Sequence, residues 1–171
     1  MPSPQPEIAE SRRGQFLLST DPRRLDLDAI HEFLTNSYWA KGIPRERLER
    51  SIEHSLCFGI YDEGRARLPP PPREAGSGPP QVGFARVVSD FATVAYVGDV
   101  FVLDGYRARG LGTWMMESIV HHPQLQGLRR WILVTRDAHG LYAKFGFRPV
   151  KAPENYMEWH RADIYRIGET Q

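Results

Sequence analysis

The chain has 171 residues, 41% hydrophobic and 25% charged, with a formal net charge of +1. That length suits a single domain with a real core, and the near-neutral balance argues against a general nucleic-acid or membrane-surface binder. No run reaches the length of a membrane span, residues 1–14 hold no apolar signal-peptide core, and a lone cysteine excludes an internal disulfide framework, so a cytoplasmic protein is expected.

Residues 1–14, with three prolines in the first six, are expected to form a disordered tail ahead of a single domain over 15–160. Residues 15–20, around Phe16-Leu17-Leu18, read as a first strand. Asp26 or Asp28 can cap a helix with Leu27, Ile30, Phe33 and Leu34 on one stripe. That helix gives way near Asn36, and Pro44 opens a second one over 45–54 with Leu48 and Ile52 inward. Residues 56–61 are a second strand, in which Cys57 reads as a buried, inert thiol. Residues 65–80, with four consecutive prolines from Pro69, form a long flexible connection between hairpin strands. A third strand over 81–88 turns at Ser89-Asp90 into a fourth over 93–103. Period two places Val94, Tyr96, Gly98, Val100 and Val102 on one face and Ala95, Val97, Asp99, Phe101 and Leu103 on the other.

A glycine turn and a helix stopped by Pro123 follow, then a dense strand over 130–135. Asp137 can cap a short helix over 138–145, which Gly146 ends. Strands over 147–150 and 156–159 precede a polar tail over 161–171. The order is mixed α/β, with an antiparallel front and one parallel step across the helix after the glycine turn.

The stretch from Val100 to Met116 organises the rest. A strand feeding a glycine turn feeding a helix start is an anion site, because the first helical N–H groups lack partners and the helix dipole adds positive charge. A Walker A loop needs Gly-Lys-Ser/Thr, which is absent, and a dinucleotide fingerprint needs glycine where Met115 stands. Arg107 through Gly112 instead match Arg/Gln-x-x-Gly-x-Gly/Ala. This resembles the pyrophosphate loop of the GNAT (Gcn5-related) N-acetyltransferases. A second segment, Ala138-His139-Gly140-Leu141-Tyr142-Ala143-Lys144-Phe145-Gly146-Phe147, is similar to the family's Ala-x-x-Leu-Tyr-x-x-x-Gly-Phe. Asp104 stands where the family usually has proline, and Thr135 where it usually has asparagine.

The resemblance covers about residues 15–159. It implies a GNAT fold, with a mostly antiparallel mixed sheet of six to seven strands flanked by about four helices. It also implies an acetyl-CoA-dependent N-acetyltransferase that acts on a primary amine by direct attack and releases coenzyme A. The backbone of Ala108, Arg109, Gly110, Leu111, Gly112 and Thr113, with Arg107, would hold the pyrophosphate. Val100, Phe101 and Val102 would pair with the pantetheine arm, with Thr135 a weaker contact. Tyr142 would be the general acid to the leaving sulfur.

Asp99, a carboxylate in an apolar strand, is either a general base or the ion-pair partner of Arg86, and either a bulge or an edge position is needed to bring it to the site. Tyr38, Trp39, Lys41, Phe84 and Arg86 are expected around the acceptor. The histidines make no metal set, since His121 and His122 are neighbours on a helix and do not face one another. The acceptor is expected to be a small molecule, with a protein or peptide N-terminus as an alternative. A non-catalytic acyl-CoA-binding module is the reading from another class, and a homodimer is a further expectation.

Overall fold

The computed structural model describes residues 7–65 and 78–165. Six strands form one sheet in sequence order: β1 (Glu10–Arg13), β2 (Phe16–Ser19), β3 (Leu56–Asp62), β4 (Gln81–Ser89), β5 (Val94–Val102) and β6 (Arg130–Leu133). All neighbours are antiparallel except β5 and β6, which are parallel and joined through α3 (Leu111–Val120). This mixed sheet, with four helices, is the α/β class expected.

Each face of the sheet carries its own apolar cluster. On one side α3 and α4 (His139–Ala143) cover a core that includes Phe58, Ile60, Val82, Trp114, Met115 and Met116. On the other, α1 (Leu27–Asn36) and α2 (Arg45–Glu53) bury Ile30, Leu34 and Leu48 against Cys57, Phe84 and Phe101. Burying each such large side chain contributes roughly 1.5–3 kcal/mol. Asp26 is the cap of α1, its carboxylate accepting from the N–H groups of Asp28 and Ala29 at 3.1 and 3.0 Å.

The structure departs from the sequence reading at both ends. Glu10–Arg13, expected within a disordered tail, is a strand whose side chains are all exposed. Backbone pairing and ion pairs hold it, Glu10 with Arg24, Arg12 with Glu63 and Arg13 with Glu117, so no apolar pattern announces it. Residues 1–6 lie outside the described part, as do 66–77 of the proline-rich connection and 166–171 of the polar tail. At the other end, residues 147–150 and 156–159 form no strand. Pro149 removes a ladder donor from the first of these. β6 stops at Leu133, and in the turn that follows Thr135 Oγ1 accepts from Ala138 N at 3.0 Å; Ala138 is the N-cap of α4, so Asp137 does not cap it.

The third departure lies inside β5. Phe84 faces Phe101 and Arg86 faces Gly98, so Asp99 and Val100 together oppose Ala85. This is a β-bulge, and Asp99 takes φ of 54°. The extra residue resets the alternation. Val100 and Val102 join Ala95 and Val97 on the α3 side, while Asp99, Phe101 and Leu103 stay on the α1–α2 side. A strict period of two had put Val100 and Val102 opposite Ala95 and Val97.

Candidate active site

β5 hands the chain to a 3-10 turn, Asp104–Tyr106, and then to α3. Ala108 (φ 60°) and Gly110 (φ 76°) make the bend in left-handed conformations, which glycine adopts freely and alanine does not. Among the described residues, the N–H groups of Ala108, Arg109, Gly110, Leu111, Gly112 and Thr113 take no hydrogen bond; the first helical bond runs from Trp114 N to Gly110 O at 3.0 Å. Six successive free donors at a helix start fit an anionic diphosphate. Gly112 keeps the surface low, since a Cβ there would meet only Leu141, at 3.8 Å.

The two arginines brace this loop from outside. Arg107 donates to Val102 O at 3.2 Å and pairs with Asp104 at 2.9 Å. Arg109 donates to Gly105 O at 3.2 Å and lies over the Tyr106 ring at 5.2 Å. Both are exposed, so they also place positive charge at the rim.

Beside the loop the sheet opens. β5 pairs with β6 only from Val94↔Arg130 to Val97↔Leu133. Beyond that, Phe101 and Val102 pair with β4 alone, Val100 lies in the bulge, and among the described residues no strand covers their other edge. A free edge of this kind can accept an extended amide chain as an added strand.

Tyr142 of α4 belongs to the apolar cluster on which Val100 and Val102 pack. It is 8% exposed and packs edge-on against Phe147 at 6.1 Å. Its hydroxyl makes no hydrogen bond among the described residues. Burial, with smaller contributions from Tyr38, Asp137 and Tyr96, pushes the phenol up to about 12, so it stays protonated at neutral pH.

On the α1–α2 side of the bulge, Asp99 has both carboxylate oxygens occupied. Arg86 Nε donates to Oδ2 at 2.8 Å, and Trp39 Nε1 donates to Oδ1 at 3.1 Å. Arg86 also reaches Ser55 Oγ at 3.2 Å. Of the two roles expected for Asp99, the ion pair is the one this geometry displays. Its two carboxylate oxygens, held by Arg86 and Trp39, anchor the left-handed bulge.

Tyr38 and Trp39 meet edge to face at 4.9 Å, both partly exposed. Arg136 lies over the Tyr38 ring at 3.8 Å, and its N–H donates to the Tyr38 hydroxyl at 3.3 Å, tying the α1–α2 loop to the approach to α4. Lys41 is exposed nearby in sequence. Phe84, also expected at the acceptor site, is fully buried in the α1–α2 core beside Phe101 and has no surface to offer. Tyr96 was not anticipated. It is 39% exposed on β5, within electrostatic reach of Asp99, Arg86 and Tyr142. Its signal was present, a large aromatic two residues before the bulge on the face opposite Ala95 and Val97.

Comparison with known proteins places this geometry. A family model described as an acetyltransferase (GNAT) domain matches residues 77–149. A Gibberella zeae protein whose name places it among the acetyltransferases is 34% identical over 146 residues, covering 77% of this chain and 78% of its own. The chain belongs to the GNAT acetyltransferase family. A Xanthomonas campestris crystal structure, described as a GNAT family member, shares 44% identity and a TM-score of 0.77, covering 90% of this chain and 99% of that one. A Staphylococcus aureus structure described as a probable acetyltransferase has a TM-score of 0.63 at 22% identity, covers 85% of this chain and 98% of its own, and shares the fold.

The GNAT domain match ends at 149, and the chain continues beyond it. Tyr156 lies under Arg130 at 5.9 Å, at the start of β6. Glu158 is within electrostatic reach of Tyr96 on the neighbouring strand. Tyr165 packs on the α1–α2 cluster, its Cβ 4.0 Å from where a side chain at Gly42 would begin. No described helix of this GNAT chain is long and apolar enough to cross a membrane.

Proposed function

We propose that this GNAT protein is an acetyl-CoA-dependent N-acetyltransferase that acylates a primary amine of a small molecule by direct attack with both reactants bound. The observation that carries the reading is the set of six free N–H donors beside the uncovered edge of β5, with a protonated phenol in the same apolar cluster as Val100, Val102 and Leu111 and no hydrogen bond of its own among the described residues. Bound acetyl-CoA supplies the activated thioester acyl group. The chain supplies the rest.

Ala108, Arg109, Gly110, Leu111, Gly112 and Thr113 hold the diphosphate through backbone donors, and Arg107 stiffens their loop. Val100, Phe101 and Val102 align the pantetheine arm, and an N–H of this edge is available to polarise the acyl oxygen; such a donor is worth about 3 kcal/mol in the transition state. Thr135 acts by bracing the turn ahead of α4, its Oγ1 accepting from Ala138 N, and so helps set the position of Tyr142. Tyr142 donates its proton to the departing sulfur. An alkyl ammonium must first lose its own proton, at roughly 4–5 kcal/mol near neutral pH.

A covalent relay through Cys57 is disfavoured by its surroundings. The thiol is 5% exposed, directed at Ile52 O and Ser55 O at 3.9 and 3.8 Å, and pushed up to about 12 chiefly by burial.

The test is free-thiol release from acetyl-CoA with a panel of amines, alongside calorimetry of coenzyme A. Binding together with amine-dependent thiol release supports the enzyme. Tight binding without release on any amine or peptide would favour the non-catalytic acyl-CoA-binding module.

A further inference from the structure

β5 and β6 run parallel and part after Val97↔Leu133. Just past that point, two consecutive residues of the α1–α2 loop tie the diverging chains together. Trp39 Nε1 donates to Asp99 Oδ1 at 3.1 Å, two residues beyond Val97. The Tyr38 ring lies under the Arg136 guanidinium at 3.8 Å and its hydroxyl accepts from Arg136 N at 3.3 Å, three residues beyond Leu133. The two rings meet edge to face at 4.9 Å, so they form one strap. It reaches the gap from the α1–α2 side, the face opposite the one that α3 and α4 cover. Its two ends differ in strength. Trp39 is backed by Phe33 at 6.2 Å, which stacks on Phe101 of β5 at 3.8 Å. Tyr38 is 48% exposed and takes its fixed contacts from Trp39 and Arg136. After burial, Tyr38 is also the largest influence on the Tyr142 phenol.

We infer that Tyr38 is a specificity residue of the acceptor site, whose ring bars peptide acceptors and admits a primary amine at the end of a slim chain. This rests on the acetyltransferase reading above. With coenzyme A gripped by the loop at the start of α3, the amine approaches the edge of β5 from the α1–α2 side. There the strap crosses the gap at Asp99, one residue before Val100. A peptide N-terminus needs room for the residues that follow it, and these run into the two tethered rings; such a clash selects against the wrong partner. A single alkyl or arylalkyl chain passes beside the rings, whose faces attract an ammonium.

The experiment uses the full chain, Tyr38→Ala, Tyr38→Phe and Arg136→Ala with three probes: butylamine, 2-phenylethylamine and tetra-alanine amide. The parent should favour the two simple amines. A single methylene in a pocket already discriminates about tenfold or more, so removing the ring should raise the peptide-to-amine ratio of kcat/KM by at least about tenfold in Tyr38→Ala. Tyr38→Phe keeps the ring under Arg136 and should stay near the parent's ratio. Arg136→Ala unpins the ring and should move the ratio the same way as Tyr38→Ala, by less; it decides the matter if Tyr38→Ala does not fold. A mere loss of packing lowers all rates together and creates no peptide acceptor. Coenzyme A affinity by calorimetry should not move.

A parent that prefers the peptide, an unchanged ratio on removing the ring, or an equal rise in Tyr38→Phe would overturn the assignment. Should these proteins bind coenzyme A yet release no thiol with any probe, the acetyltransferase reading fails. Calorimetry of tetra-alanine amide on the coenzyme A-loaded proteins then decides for Tyr38: binding to Tyr38→Ala and not to the parent upholds the assignment; equal behaviour removes it.

Discussion

The indole of Trp39 donates to Asp99 across 60 positions of chain, so the α1–α2 loop and the bulge of β5 are held as one unit. Asp99→Asn can keep the left-handed conformation, which asparagine tolerates, and keeps an oxygen for the indole. Asp99→Ala keeps neither. Leaving the largely buried Arg86 without its counter-charge should cost about 1–3 kcal/mol in both, with Ala roughly 1 kcal/mol worse for its backbone. Urea unfolding checks the order. If Asp99→Asn folds well and binds coenzyme A yet eliminates turnover, Asp99 is a base after all.

Tyr142→Phe removes a hydroxyl that has no protein partner among the described residues, so the melting temperature should barely change. Loss of a general acid should lower kcat by about 100-fold with coenzyme A affinity intact. The phenol is neutral up to about 12, so no alkaline loss of rate below about pH 10 should trace to it.

Gly112→Asp separates helix energetics from anion binding. An acidic side chain in the first turn of α3 should stabilise the fold by about 0.3–1 kcal/mol, and replacing glycine in the helix helps further. The same charge sits in the donor cradle. Calorimetry should show coenzyme A affinity falling by at least about tenfold while the protein melts higher.

His122 gives a pH-dependent stability. It is 4% exposed, lies edge-on to Phe58 at 5.6 Å, and neither ring nitrogen has a hydrogen bond among the described residues. Burial lowers its affinity for a proton, against a weaker pull from Glu7. The unfolded chain therefore binds the proton first. Stability contributed here is complete above the ordinary histidine range and declines as pH falls through about 6.5 toward the lowered folded value. Denaturant midpoints between pH 7.5 and 5 should fall more steeply for the parent than for His122→Phe.

What could be read beforehand followed from residue patterns with a direct structural cause. The stripe of Ile30 and Leu34, the alternating Leu56, Phe58 and Ile60, and the glycine turn before Leu111 each specify a local shape. The misses have other causes. β1 is held by backbone pairs and salt bridges, which leave no periodic mark. Asp137 does not cap α4 because the helix starts one residue later, with Ala138 at its N-cap and Thr135 Oγ1 bracing the turn before it. Phe84 and Tyr96 both turn on which parts of the α1–α2 face the helices cover, which the alternation of one strand does not encode. The segment after Gly146 looked like two strands by composition, yet Pro149 denies the first of them a donor.

The two rims of the sheet differ in character. At β1 every side chain is polar or charged, and three of the four are clasped to neighbours through ion pairs, an arrangement that discourages lateral annealing of another molecule. At β6 the sequence Trp131-Ile132-Leu133 runs into Val134, 80% exposed, with no further strand alongside it among the described residues. If two protomers associate through their sheets, β6 is the rim open to self-recognition, and such an assembly would bring each protomer's C-terminal segment up against the other's.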